Sequence, residues 1–538
     1  MAVNLNLNNS HNKSQIKTIT GKGQNQTFGN LGGFVTNALI ASDKSPMIGV
    51  SIIDLLSMIG PRSLVDATRN GFAATETFFR ESAGLIINCL VPSFVVFGMA
   101  KLLEKPIMGR NFEGLEPSKF WVNQNSNEAL SSAWLSTKGA KEERVASFVS
   151  RVLDNVEGLA GQNDWRRIKD LKGKDELYRG FTQAILNNDK KLAEETTESL
   201  IRALGASRNI RFIDKRPFSA LNGITSIDID ANLKNLTRDM KDMGSAFIKL
   251  SDDAIPSFSK KLTKLISAKS FSGLAVVIAA GASFQYFNRM LTKYRTGSDG
   301  FVGDADYMAQ VKNGKKVDKK EFCEKEKKKL NRHKLLGTLG MALLATASFG
   351  KMPSLKMFQF NGMFPTMNQC RAISAVTYSG RIISSANDNE LKETGLRDTC
   401  TFINLYYLGD YVSKAFATIK ERVNPALKGK LLNETKALSK NATFGQKFWH
   451  WFKNTELKGF EELVNNPVVK KNRAYAQASG LLYSCIVLGL LVPIYNKYST
   501  HKKSLEKQKT LDLQKEIDLA SALYQKKLFT AFLRNNNV

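Results

Sequence analysis

Residues that commonly carry metal or covalent chemistry are scarce in this 538-residue chain, which has four histidines and five cysteines. No two histidines have metal-ligand spacing, and no cysteine lies in a CxxC or zinc-type arrangement. A Walker-type phosphate loop, a dinucleotide-binding glycine pattern and a GxSxG nucleophile elbow are also lacking. We therefore expect no catalytic residue, no metal site and no cofactor, and we interpret the protein as non-enzymatic.

Acidic residues are in deficit. The 49 Asp and Glu residues face 78 Lys and Arg residues, which gives a formal net charge of +29. Such a chain favours an anionic neighbour, and nucleic acid and acidic phospholipid are the two obvious ones. Many basic residues lie beside apolar runs, whereas no nucleic-acid motif with interleaved aromatic residues occurs. We expect anionic membrane lipid as the partner, with protein partners on the amphipathic helices, although a basic surface without a dedicated partner explains the charge equally well.

Long apolar runs are few. The mean hydropathy of −0.24 is too polar for a compact transporter made mostly of lipid-facing helices, and it suits a few spans joined by water-exposed helical regions. Three runs carry no charge and approach the length that crosses a bilayer, namely Ser82 to Ala100, Phe271 to Asn288 and Ala474 to Asn496. A fourth run, 335–350, is slightly short, so a spanning and a re-entrant helix both fit it.

Two further apolar segments have sequence features that predict packing rather than a simple crossing. Met47 to Gly60 is too short to span, and Pro61 should end or kink a buried or interfacial helix there. In the fourth run, Ala342, Thr346 and Gly350 form a row of small residues that predicts a helix-packing face.

The order of these segments predicts an all-α protein with about three to four membrane-embedded helices and water-exposed helical domains. In residues 111–260, apolar side chains such as Val145, Phe148, Val152 and Val156 recur at helical spacing and predict a core. The expected units are 1–35, a disordered polar tail; 36–110, apolar helices with the first span; 111–260, a soluble amphipathic domain; 261–350, the second and third apolar segments with a basic connection; 351–473, a mixed loop and helical region; and 474–538, the last span and a basic amphipathic C-terminal helix.

A short motif occurs twice. The residues from Glu76 to Glu81, ETFFRE, resemble those from Glu393 to Asp398, ETGLRD, and each set precedes an apolar run. The runs near 271 and 474 both begin with Ser-Gly-Leu and end with an aromatic residue, Asn and a basic residue. We infer an internal duplication, although matches this short also arise by chance among apolar helices.

The duplication hypothesis makes Arg80 and Glu81 equivalent to Arg397 and Asp398. We interpret these polar boundary pairs as a structural latch, with a polar site as the alternative. Basic and aromatic residues near the ends of apolar runs are candidates for contact with lipid headgroups. The lipid-interface candidates are Lys269, Arg289, Lys293, Lys334, Trp449, Trp451, Tyr495 and Lys497.

Four functions fit these features. The leading hypothesis is a multi-pass membrane protein that contacts anionic lipid or organises membrane partners. A transporter- or channel-like protein would use the repeats around a path at the membrane midplane. A lipid-modifying enzyme would need the Asp304 and Asp306 pair to hold a cation, and Asp228 and Asp230 form a similar pair. A soluble basic helical protein that binds an acidic partner is the fourth.

Overall fold

The computed structural model describes residues 31–44, 46–161, 163–212, 232–297, 300–303, 324–349, 355–362, 364–439, 441–463 and 466–535. Most of the predicted polar tail and both Asp-x-Asp pairs lie outside these residues. The end of that predicted tail needs correction, because the first described helix begins at Leu31.

Helices dominate the described chain, which confirms the predicted all-α class. They are α1 (Leu31–Lys44), α2 (Pro46–Ile53), α3 (Gly60–Ala67), α4 (Gly71–Leu85), α5 (Val91–Met108), α6 (Gln124–Leu135), α7 (Lys141–Leu153), α8 (Lys174–Leu186), α9 (Lys190–Leu204), α10 (Leu233–Phe247), α11 (Ala254–Thr296), α12 (Glu324–Ser348), α13 (Met367–Ser384), α14 (Asp388–Ile403), α15 (Gly409–Val423), α16 (Phe444–Asn454), α17 (Pro467–Ile486) and α18 (Val492–Asn535).

Several of these helices continue into the next through a π-helical turn, in which hydrogen bonds skip one residue more than in an α-helix. Such turns lie at Asp54–Ile59 between α2 and α3, at Ile86–Leu90 between α4 and α5, at Asn404–Leu408 between α14 and α15, and at Val487–Leu491 between α17 and α18.

Two small antiparallel sheets were not predicted. The first has the strand order β2-β1-β3 and contains β1 (Val156–Leu159), β2 (Trp165–Arg167) and β3 (Ile210–Phe212). The second pairs β4 (Leu432–Glu434) with β5 (Thr455–Leu457). Strands this short leave no alternating pattern to detect. Val156 accordingly lies on β1 and not on the helix that carries Val152, because α7 ends at Leu153.

The largest hydrophobic core lies between Met108 and Ile266, and we keep the name water-exposed domain, after the prediction for 111–260, for the region built around it. The predicted helical stripe of Val145, Phe148 and Val152 is fully buried in it. Aromatic rings pack within this core, where Phe148 and Phe247 both contact Trp134. This core reaches α11, whose helix continues without interruption past residue 260, where we expected a boundary.

Four described helical segments are long and apolar enough to cross a membrane, namely Met47–Ala67, Gly71–Met108, Ala254–Thr296 and Pro467–Lys502. The last three contain the predicted uncharged runs. The first corrects our expectation that the segment from Met47 is too short to span, because Pro61 does not end the helix there. Pro61 lies in the first turn after the π-helical turn Asp54–Ile59, where the missing N–H and the ring are accommodated.

The run 335–350 is not among these four segments. It belongs to α12, whose first half is rich in charge. The packing face predicted on Ala342 and Thr346 is wrong, since both are exposed, and Gly350 lies outside the described residues. Met341, Ala345 and Ser348 form the buried face instead.

Candidate functional site

Six charged side chains meet in the interior between two sets of helices, which we call the charge cluster: Arg62, Arg80, Glu81, Arg381, Arg397 and Asp398. We call α3, α4, α5 and α11 the first half, and α13, α14, α15, α17 and α18 the second half. None of the six side chains is more than 10% exposed. The cluster therefore places four guanidinium groups around two carboxylates, away from water.

Glu81 is the acidic centre of the first half. Its carboxylate lies 3.4 Å from Arg62, 3.2 Å from Arg80 and 3.7 Å from Arg381. Two of these arginines come from its own half, and Arg381 comes from the second half. Glu81 thus has three cationic neighbours, one of which reaches it across the boundary between the halves.

Asp398 is the acidic centre of the second half. Its Oδ1 lies 3.1 Å from Arg397 and 3.4 Å from Arg381, while its Oδ2 has no hydrogen-bond partner among the described residues. Arg381 is thus paired with the carboxylates of both halves, Glu81 at 3.7 Å and Asp398 at 3.4 Å. Arg381 therefore stays cationic between the two acids.

Arg62 makes the reciprocal connection. Its Nη2 donates to Thr401 Oγ1 at 2.8 Å and its Nε donates to the carbonyl of Leu488 at 3.0 Å, both in the second half. Arg381 lies in the same way against Gly84 of the first half, where a Cβ would come within 3.2 Å of Nη2. Gly84 and Thr401 follow Glu81 and Asp398 at the same interval. Each half therefore sends one arginine into the other.

The helices that carry the acidic centres begin in the same way. Asn70 caps α4 by accepting a hydrogen bond from Ala73, and Asn387 caps α14 by accepting one from Glu390. Arg80 and Glu81 follow the first cap at the same intervals as Arg397 and Asp398 follow the second. Each arginine also donates to a threonine one turn earlier, Arg80 to Thr77 at 3.0 Å and Arg397 to Thr394 at 3.4 Å.

A second pair of matched contacts joins the two repeated motifs within each half. Thr292 donates to Glu76 at 3.1 Å, and Thr500 donates to Glu393 at 2.9 Å. Each threonine lies four residues after the asparagine of the aromatic-Asn-basic signature, and each glutamate begins an ETxxR motif. The motifs that suggested the duplication are therefore in contact at matched positions.

The Ser-Gly-Leu glycines allow matched close approaches of helices. A Cβ on Gly273 would overlap Val96, and a Cβ on Gly480 would overlap Ser413. Val96 follows Glu81 at the same interval as Ser413 follows Asp398. Glycine lets the two backbones approach at both places. Together with the charge cluster, these contacts support the predicted duplication.

The two halves differ by one residue in the helix that follows this glycine. The interval from Ser272 to Asn288 is one residue shorter than the interval from Ser479 to Asn496. The longer helix contains the π-helical turn Val487–Leu491, whereas α11 is assigned as an uninterrupted α-helix. The π-helical turn accommodates the extra residue, and Thr500 still reaches Glu393.

The charges of the cluster are buried, so each depends on its ion-pair partners instead of on water. Removing one partner of a buried ion pair leaves an uncompensated charge and typically destabilises a protein by about 3–5 kcal/mol. The structure brings together all four predicted boundary residues, Arg80, Glu81, Arg397 and Asp398. Sequence reasoning did not single out Arg62 and Arg381 as site residues, although both lie in the Arg-containing stretches that precede the two repeated motifs.

The predicted lipid contact of Lys269 is wrong. Lys269 is fully buried, and its ammonium donates to the carbonyl of Phe120 at 2.5 Å and lies 4.3 Å from the Trp121 ring. The part of α11 that precedes the uncharged run is not at the surface there, because α11 begins inside the core of the water-exposed domain. Lys269 anchors that domain to α11 instead of reaching headgroups.

The other basic candidates are distributed between protein contacts and the surface. Arg289 forms an ion pair with Glu390, Lys497 donates to Thr68, and Lys334 is half-buried. Lys293 and Tyr495 are exposed near the ends of Ala254–Thr296 and of the last span.

The two aromatic candidates lie on α16 and face differently. Trp449 is exposed, whereas the half-buried Trp451 donates from Nε1 to Thr418 at 2.9 Å.

Among the described residues, no group of three or more His, Cys, Asp and Glu side chains is placed to hold a metal ion. The comparisons with known proteins add no assignment, since no family model, curated protein or solved structure matches the chain.

Proposed function

We propose that this chain is a non-enzymatic, multi-pass integral membrane protein that contacts anionic lipid and organises membrane partners through its water-exposed helices. The observation that carries the proposal is the apolar surface left on the candidate spans. In the most apolar 18-residue stretch of each segment, only 28%, 33%, 44% and 33% of the residues are buried within the protein, given in chain order. In water, uncovered leucine and phenylalanine side chains on this scale would favour association. In hydrocarbon, the same surface is solvated.

The exposed side chains lie on every one of the four segments. Leu55 and Leu64 are exposed on the first, Phe94 and Leu102 on the second, Val276 on the third and Leu482, Ile486 and Leu490 on the fourth. The backbone hydrogen bonds of these segments are satisfied within helices, as a lipid environment requires. The charge cluster lies inside, where the helices shield it from the apolar surroundings.

Alkaline-carbonate extraction of membranes from cells that express the full chain tests the proposal. We expect the protein to stay in the membrane pellet. Release into the supernatant would overturn the proposal in favour of a soluble or peripheral basic protein that binds an acidic partner.

A matched pair of substitutions sharpens this test. Leu482 is 62% exposed in the last candidate span, and Leu513 is 59% exposed on α18, beyond the end of that span. We expect Leu482→Lys to lower the yield of carbonate-resistant protein strongly, since a lysine at the centre of a span opposes insertion by about 2.5–3.5 kcal/mol. Leu513→Lys should leave the yield unchanged. Equal effects of the two would count against hydrocarbon around Leu482.

A transporter is the second candidate, because intramembrane charge between two repeats is where transporters place their sites. The purified chain can be reconstituted into vesicles that trap pH- and chloride-sensitive dyes. Proton or chloride flux above that of protein-free vesicles would favour transport. Flux at the level of protein-free vesicles is the result expected of the proposed function.

A further inference from the structure

An exposed aromatic helix is held by α15, the helix that packs against the last candidate span. The helix α16 contains Phe444, Phe448 and Trp449, which are 87%, 52% and 57% exposed, and none of its residues is buried. Phe444 and Phe448 lie one turn apart and therefore share a face. A helix of eleven residues with three large aromatic side chains in water has an unpartnered apolar surface.

The C-terminal turn of α16 is fastened firmly to the body of the protein. The Lys414 ammonium on α15 donates to the carbonyls of Trp451, Phe452 and Thr455 at 2.9, 3.0 and 3.0 Å. The Phe452 ring stacks on Tyr411 with a centroid distance of 4.3 Å. These contacts hold the C-terminal turn of α16 against α15, whereas Phe444, Phe448 and Trp449 stay exposed.

The contacts of α15 place this helix at the end of the uncharged run of the last span. Ser413 lies against Gly480, and Ala417 shares a core cluster with Ala476 and Val469. Lys414 and Thr418, which hold α16, therefore lie near the start of the run that begins at Ala474, one residue after the charged Arg473. This is the level at which a span leaves hydrocarbon for the headgroups.

The surroundings of the aromatic face are basic. Lys453 lies 5.4 Å from the centroid of the Trp449 ring. Aromatic residues flanked by lysines are typical of helices that lie in the interface of anionic bilayers. The exposed lysines of this segment are Lys428, Lys430, Lys436, Lys447 and Lys453.

We propose that α16 is an interfacial helix, whose aromatic side chains Phe444, Phe448 and Trp449 enter the headgroup layer of an anionic bilayer while Lys414 holds its C-terminal turn. The proposal rests on the proposed function, because it needs the adjacent span in the bilayer. It goes further by naming the surface of the protein that contacts the acidic headgroups. The helix would fix the depth of the second half in the membrane.

Fluorescence quenching in reconstituted vesicles tests this. The full chain is reconstituted into phosphatidylcholine–phosphatidylglycerol vesicles with and without brominated acyl chains, and tryptophan emission is compared. We expect Trp449→Phe to remove most of the emission that brominated lipid quenches. Two matched controls should retain that emission: Trp165→Phe in the small sheet, and Trp451→Phe at the half-buried position of α16. Trp449→Tyr serves if the phenylalanine variant is not recovered folded.

The outcomes separate the two proposals. If the protein remains carbonate-resistant but Trp449 is quenched by aqueous acrylamide and not by brominated lipid, the interfacial helix is overturned and the proposed function stands. A protein partner on this face would give that same result. If the protein leaves the membrane in carbonate, the proposed function fails. Equal quenching in pure phosphatidylcholine would overturn the acidic-headgroup part alone.

Discussion

The Arg381 guanidinium lies 3.7 Å from the Glu81 carboxylate, although the two residues come from different halves of the chain. Arg381 also contacts Asp398 of its own half, so it is shared by both acidic centres. Arg381 therefore couples the stability of the two halves, because loss of a partner from a buried ion pair leaves an uncompensated charge.

We expect Arg381→Gln to lower stability by about 3–5 kcal/mol, because two buried carboxylates lose a cationic partner. The measurement is the thermal unfolding midpoint of the full chain in detergent micelles. Arg422→Gln is the control, since Arg422 is exposed near the end of α15. In the double variant with Glu81→Gln, the loss should be smaller than the sum of the two single losses; a strictly additive result would contradict the coupling.

The matched threonines should contribute equally. Thr292→Val and Thr500→Val each keep the side-chain shape and remove one hydrogen bond to a glutamate, so each should lower stability by about 1.5–3 kcal/mol. Thr338→Val is the control, because its hydroxyl donates only to the carbonyl of Lys334 on the same helix. A large effect at one position and none at the other would refute equivalent roles.

Alanine at Gly480 should be destabilising. Its Cβ would overlap Ser413 Oγ and the Gly409 carbonyl, so α15 and α17 would have to move apart, and overpacking of this kind typically costs about 1–3 kcal/mol. Gly98→Ala is the matched control within another candidate span, where a Cβ meets nothing within 4 Å. Unfolding midpoints of both variants check the prediction, and a stable Gly480→Ala would show that the helices do not approach this closely.

The water-exposed domain should become more stable as the pH falls toward 5. Burial raises the pKa of Asp239 from 3.8 to about 6, the Arg238 guanidinium lowering it only in part. Because the native pKa exceeds the unfolded one, the native state gains protons first, and this stabilisation appears as the pH falls through 6 and is complete below 3.8.

The Asp239→Asn variant should lack that part of the pH dependence. Unfolding midpoints at neutral and mildly acidic pH are compared in the parent protein, in this variant and in Asp175→Asn, which changes an exposed aspartate of the same domain. Identical pH dependence in all three proteins would show that Asp239 ionises normally in the folded state.

Sequence alone predicted the features that depend on residues near one another in the chain. The helical stripe at Val145 and Phe148, the uncharged runs and the equivalence of Arg80–Glu81 with Arg397–Asp398 all rest on local spacing. The partners of those pairs could not be predicted, because Arg62 reaches Leu488 over a sequence separation of 426 residues.

Lys269 shows the other limit of sequence reasoning. A lysine that enters an apolar run has the same local pattern whether headgroups or protein carbonyls surround its ammonium. The decisive neighbour is the Phe120 carbonyl, which the fold brings from the far end of the water-exposed domain. The Trp449 and Trp451 pair is equally ambiguous in the sequence, since contacts with α15 through Lys414 and Thr418 leave Trp449 exposed and Trp451 half-buried.

The extra residue in Val487–Leu491 affects how relatives of this protein can be found. In an uninterrupted α-helix, one added residue rotates everything beyond it by about 100° and would carry Thr500 away from Glu393. Here the wider turn keeps the far end of the helix in phase. An alignment of the two halves without gaps would therefore lose its register at Val487–Leu491, inside a continuous helix. The same single-residue gap should be allowed there when other chains are aligned with this one.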